Sequence, residues 1–154
     1  MADDIVLKID GIEGESQLKG HLKEIDVHSV SWGMHNTGSS HMGGGGGAGK
    51  VQFQDVHFSK NFDASSNNLM KRCADGKHIP KAVITFRKQG EHQREYVVVT
   101  LTDLLISSYS GGNSGEQVSI HFSKFKFDYK EQDSKGILGG AKSFEFDIKA
   151  NEVV

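Results

Sequence analysis

The chain has 154 residues, 36% hydrophobic and 25% charged, a length that predicts one domain burying its own core. Lone Cys73 excludes an internal disulfide framework or a multi-cysteine zinc cage, and a net charge of −2 provides no basic field for nucleic acid. The longest apolar runs, such as 97–99, are far too short to span a bilayer, and the acidic start lacks the pattern of a secretory signal. These features predict a soluble protein made in a reducing cytoplasm, with no membrane insertion.

Period-two alternation dominates from the N-terminus onward. Ile5, Leu7 and Ile9 alternate with Val6 and Lys8 as an opening strand. Residues 25–32 are β-branched and aromatic, which suits a pleated surface. In this strand Ser31 and Trp32 fall on opposite faces, and Trp32 is the one expected to pack, because a large aromatic contributes most when buried. Residues 33–50 follow, with six glycines among the seven residues 43–49. Ordering such a segment costs much entropy and buries almost no apolar area, so a long loop between two strands is predicted.

Residues 51–62 change phase partway: Val51 and Phe53 lie on one face, then Val56, Phe58 and Phe62 on the other. A bulge or bend, or burial of both faces against a second protein, accounts equally for such a switch. Residues 64–75 predict the one helix, with capping residues at 63–67, a Leu69/Met70/Cys73 stripe and Gly76 to end it. Strand 81–88 puts Ala82, Ile84 and Phe86 on one face, and 96–106 is nearly continuous in apolar and Thr residues, as a strand covered on both faces would be. Residues 118–129 repeat the phase change, with Val118, Ile120 and Phe122, then Phe125, Phe127 and Tyr129. Residues 143–149 alternate cleanly. The pattern is all-β: a small antiparallel β-barrel or two packed sheets with one short α-helix and a long Gly-rich loop, in a single domain over 1–154.

The motifs that suggest chemistry fail on context. Residues 44–50 fit the start of a phosphate-cradling loop, but Val51 replaces the hydroxyl that binds Mg²⁺, and a strand follows where a helix is needed. None of the eight histidines forms a tight metal-ligand pair. Cys73 reads as a small buried hydrophobe. Lys124, Lys126 and Lys130 alternate with aromatics in the manner of a nucleic-acid strand, yet Asp128, Glu131 and Asp133 offset them. Nothing here predicts an enzyme, a cofactor or a bound metal.

Several segments in order carry a resemblance: 14–16 Gly-Glu-Ser, 24–27 Glu-Ile-Asp-Val, 31–34 Ser-Trp-Gly-Met, 41–50 from His-Met-Gly to Lys, 58–60 Phe-Ser-Lys, 68–70 Asn-Leu-Met and 76–82 from Gly-Lys-His to Ala. Together with Arg87-Lys88, Glu95-Tyr96 and Tyr129-Lys130, they resemble the Hcp family, the tube subunits of bacterial type VI secretion. The resemblance implies a homohexameric ring, stacking of rings into a tube, and spike, sheath and effector proteins as partners. It also implies a cytoplasmic protein that is secreted through that system without a signal peptide. Two site expectations follow. Ser31 is expected to face the ring lumen and contact cargo. His41, Met42, Gly43, Gly44, Gly45, Gly46, Gly47 and Lys50 are expected to make ring or ring–ring contacts from the loop 36–50. A monomeric barrel with a small ligand inside is the alternative, and oligomeric state separates the two.

Overall fold

The computed structural model describes residues 3–38, 50–89, 94–132 and 138–154. In chain order these form β1 (Asp4–Ile9), β2 (Ile25–Val27), β3 (Ser29–Ser31), β4 (Met34–Asn36), β5 (Val51–Phe53), β6 (Val56–Lys60), α1 (Ser66–Asp75), β7 (Ile79–Arg87), β8 (Glu95–Gly112), β9 (Gly115–Gln132), β10 (Leu138–Asp147) and β11 (Glu152–Val153). Every pairing between strands is antiparallel. The main sheet runs β11-β10-β9-β8-β7-β1-β2, while β6 joins β9 to β3. The ribbon β4–β5 forms a second, two-stranded sheet at the base of the glycine-rich segment.

Residues 25–31 look like one strand in the sequence but divide their pairing. Ile25–Val27 pairs with β1, whereas Ser29–Ser31 pairs with β6. The break falls at His28, whose N–H donates to the Ser59 carbonyl at 2.8 Å. One short segment thereby links the β2 end of the sheet path to the β3–β6 branch that joins it at β9, and the apolar faces close over a common core. Leu7, Ile25, Ile84, Val99 and Leu101 come from one side of that core, and Phe58, Val118 and Ile120 from the other.

β8 and β9 explain how the chain bends. In β8 the buried apolar residues are Val97, Val99 and Leu101, then Leu104 and Ile106; in β9 they are Val118, Ile120 and Phe122, then Phe125. Both switch face at the same point, because Thr102 faces Lys124 and Leu104 faces Phe122, leaving Asp103 beside Ser123. Asp103 takes a left-handed backbone with φ of +51°, so rotation of one residue performs the switch. The apparent continuity of 96–106 is thus alternation with a phase change, not full burial on both faces. The other predicted switch has a different cause: Gln54 and Asp55 separate β5 from β6, and β6 turns Val56, Phe58 and Lys60 inward. Phe62 lies beyond that strand and is 59% exposed, so Lys60 occupies the inward phase that Phe62 was expected to continue.

The helix starts at Ser66, two residues later than expected, with the Asp63 carboxylate accepting from the Ser65 N–H at 2.8 Å. It ends where Gly76 adopts φ of +64° and its N–H bonds the Arg72 carbonyl at 3.0 Å. Leu69 is buried and Cys73 half-buried as α1 packs on β8, but Met70 points outward at 42% exposure.

Asp103 also clamps three segments. Its carboxylate accepts from the Ser123 hydroxyl and the Lys149 ammonium, each at 3.0 Å, and lies 2.7 Å from His78 Nδ1. These partners, His78 foremost, hold its pKa below the ordinary 3.8. A carboxyl with a depressed folded-state pKa contributes stability above its unfolded value and loses it as pH falls. Asp103→Asn, which tolerates the backbone angle, should therefore lower the urea midpoint at neutral pH and flatten the loss of stability below about pH 4. Equal acid slopes for the two proteins would show that the clamp carries no charge dependence.

Candidate functional site: a hydroxyl-lined sheet face

The strands β3, β6, β9 and the distal part of β8 lie side by side and present one polar face. Alternation aims Ser29 and Ser31 outward from β3, and His57 and Ser59 from β6. β9 adds Gln117 and Ser119, and β8 adds Ser108 and Ser110. They line a shallow hollow of about 320 Å³. Two contacts fix it across strands: Ser29 Oγ to Ser59 Oγ, and His57 Nδ1 to Ser119 Oγ, both at 2.6 Å. Ser31, the sequence-predicted contact residue, is exposed within this group and pairs directly opposite His57.

The opposite side of the same strands is closed by charge. Lys60 and Glu116 pair across β6 and β9, and both side chains are fully buried. The Lys60 ammonium donates to the Glu116 carboxylate, to Asp63 Oδ1 at 2.9 Å and to the Asn61 carbonyl at 3.0 Å. Glu116 also accepts from the Ser66 hydroxyl at 2.8 Å and from the Tyr109 hydroxyl. Burial, then the bond to Glu116, pushes the Tyr109 hydroxyl up to about 12. Gly115 completes the closure: with φ of +116°, a Cβ there would sit 2.7 Å from the Lys60 carbonyl oxygen.

Trp32 packs, as expected, with its ring about 6 Å from those of Phe86, Phe125 and Phe127. Lys50 is exposed; His41, Met42 and Gly43 to Gly47 lie outside the described residues. The described histidines disperse onto separate partners, among them His78 on Asp103, His121 on Asp55 at 2.9 Å and His28 on Asn61. Among the described residues no group of three or more His, Cys, Asp or Glu is placed to hold a metal ion. No helix among them is long and apolar enough to cross a membrane.

Sequence reasoning missed a second concavity, an apolar hollow of about 410 Å³ between the β4–β5 ribbon and β10–β11. Met34, Val51 and Phe53 line it from one side, and Phe144, Phe146 and Val153 from the other. The alternation of Phe144 and Phe146 was legible as a buried face, but the partner ribbon was not.

A curled antiparallel sheet with one packed helix, an uncharged hydroxyl face and its charges sealed beneath defines a structural β domain. The family model described as "Type VI secretion system effector, Hcp" matches residues 6–129. Protein hcp1 of Pseudomonas aeruginosa is 46% identical, with the alignment covering 98% of each chain. Among solved structures, Hcp1 from Salmonella typhimurium superposes with a TM-score of 0.80 at 39% identity over all of both chains. Hcp2 from the same organism gives 0.74 at 35% identity over 97% of this chain and 98% of that one. A structure titled as a type six secretion system protein shares the fold at a TM-score of 0.90, with 24% identity over 99% and 100% of the two chains. The chain belongs to the Hcp family. It is a tube subunit of type VI secretion, a family in which ring assembly is typical.

The sealed pair makes a sharp prediction. Lys60→Met should cost roughly 3–5 kcal/mol in urea unfolding, because Glu116 is left buried without its cation. Lys60→Met combined with Glu116→Leu should recover much of that loss. A single variant within about 0.5 kcal/mol of wild type would show the pair to be unimportant.

Proposed function

We propose that the hydroxyl face lines the lumen of a homohexameric ring, and that Ser31 contacts cargo there. The observation that carries this reading is the pair of open edges flanking the face. β3 pairs only with β6 among the described residues, and β8 beyond Leu104 extends past β7 to pair only with β9. Unpaired edges at opposite ends of a four-strand segment are different surfaces, so joining one to the other is a heterologous contact, which closes into a ring when the rotation permits. The polar face then turns to the enclosed space.

Stacked rings, the spike, the sheath and small effectors are the partners in this reading, and the protein serves by assembly rather than catalysis. It waits in the bacterial cytoplasm and leaves through the system it helps to build. His41 to Gly47 and Lys50 supply contacts between subunits or between rings, from the segment that the β4–β5 ribbon closes.

Light scattering behind size exclusion tests the assembly: a mass near six times 16.8 kDa, with ring-shaped particles in negative stain, is expected. A clean monomer at high concentration would overturn it and direct attention to small ligands. Ser31→Gln should leave rings intact while weakening effector retention, so unchanged retention by intact rings would remove Ser31 from the lumen contact. Amide exchange addresses the loop: 36–49 should be better protected in stacked tubes than in free rings, and equal protection would withdraw its contact role.

A further inference from the structure

The hydroxyl face has an unusual charge layout. Its lining combines serine hydroxyls from four strands, the Gln117 amide and the His57 imidazole with Phe58 and Val118, and among the described residues it holds no ammonium, guanidinium or carboxylate. The strands that build it do carry charge, but Lys60 and Glu116 project through the sheet and neutralise each other where neither is exposed to solvent. Further along the face, Asp55 is held by His121 at 2.9 Å and by the Ser107 hydroxyl at 2.6 Å. The imidazole of His57 is itself engaged by Ser119. A hydroxyl donates and accepts, so such a wall adapts to either end of an amide dipole. A charged group brought against it loses water and meets no opposite charge in return.

We propose that this face selects neutral, hydrogen-bonding stretches of polypeptide, rich in backbone amides and in Ser, Thr, Asn and Gln, over charged ones. The inference rests on the lumen reading above and adds the chemistry of the partner. Without a Coulombic component, retention on this face is insensitive to ionic strength. Small polar side chains also hold cargo weakly enough to let it go, since no single contact is charge-assisted.

Rings of the full chain at pH 8 would be titrated with three fluorescent peptides of about 20 residues: a Gly/Ser/Asn/Gln peptide, a Glu-rich one and a Lys-rich one. Anisotropy at about 50 and about 500 mM NaCl should find the neutral peptide bound at least about threefold tighter than either charged peptide, changing less than about twofold with salt. Ser59→Lys should raise affinity for the Glu-rich peptide by about tenfold in a salt-sensitive manner. Ser108→Lys serves the same purpose if the first variant fails to fold. Intact rings that prefer a charged peptide, or that bind none of the three, overturn the proposal alone. Light scattering on each sample reports the ring itself, and a monomeric wild type would overturn the lumen reading and this inference with it.

Discussion

The pairing of Lys60 with Glu116 constrains more of this molecule than any other contact. Two opposite charges out of water are tolerable only where geometry satisfies them, and here Ser66, Asp63, Asn61 and Tyr109 fill the remaining hydrogen-bonding capacity. Those partners come from the start of α1, the loop before it and the distal part of β8. One buried ion pair therefore anchors the helix N-terminus and the β8–β9 hairpin to β6. The register Lys60↔Glu116 admits no slip, because a one-residue shift of either strand would carry its charge to the other face and leave the partner buried and unpaired. Gly115 adds a steric reason, since any side chain there meets the Lys60 carbonyl.

The same register decides the surface. With Lys60 and Phe58 inward, Ser59 and His57 must face out; with Glu116 and Val118 inward, Gln117 and Ser119 must follow. The uncharged face and the charged interior are two sides of one alternation. The bend at Asp103 and Ser123 then limits how far that face extends. Before the bend, β9 pairs with β6; after it, the same edge pairs with β10, and the buried set moves to the other side of the strand. A straight β9 would have carried one face along all 18 residues and left no separate polar panel.

Much of this was legible. Alternation marked the strands, and Gly76 marked the end of the helix, because few residues adopt its left-handed angle without cost. The phase change in 118–129 was visible as a shift in apolar spacing. What stayed hidden were features set by long-range pairing. Nothing local at His28 tells that its neighbours join different strands. Nothing local marks Lys60 for burial, since a lysine is ordinarily solvated, and its burial depends on a glutamate 56 positions away. Phe62 misled for the converse reason: its apolar side chain extended a pattern that the backbone had already left. Ser31 was placed by its alternation with Trp32 and given a lumen role by family resemblance, and its company of hydroxyls from three other strands became apparent only in the folded sheet.

Symmetry gives that uncharged face its consequence. In the closed ring proposed above, every side chain on this face would be repeated by each subunit at one height, and a water-filled channel with low-dielectric walls would focus the resulting field. A single unpaired lysine or glutamate on the face would thus become a belt of like charge, capturing some cargo and repelling the rest. Serines repeated in the same way add up to many weak, reorientable hydrogen bonds instead. Burying Lys60 against Glu116 keeps this face free of both charges and uses them to hold its strands in register.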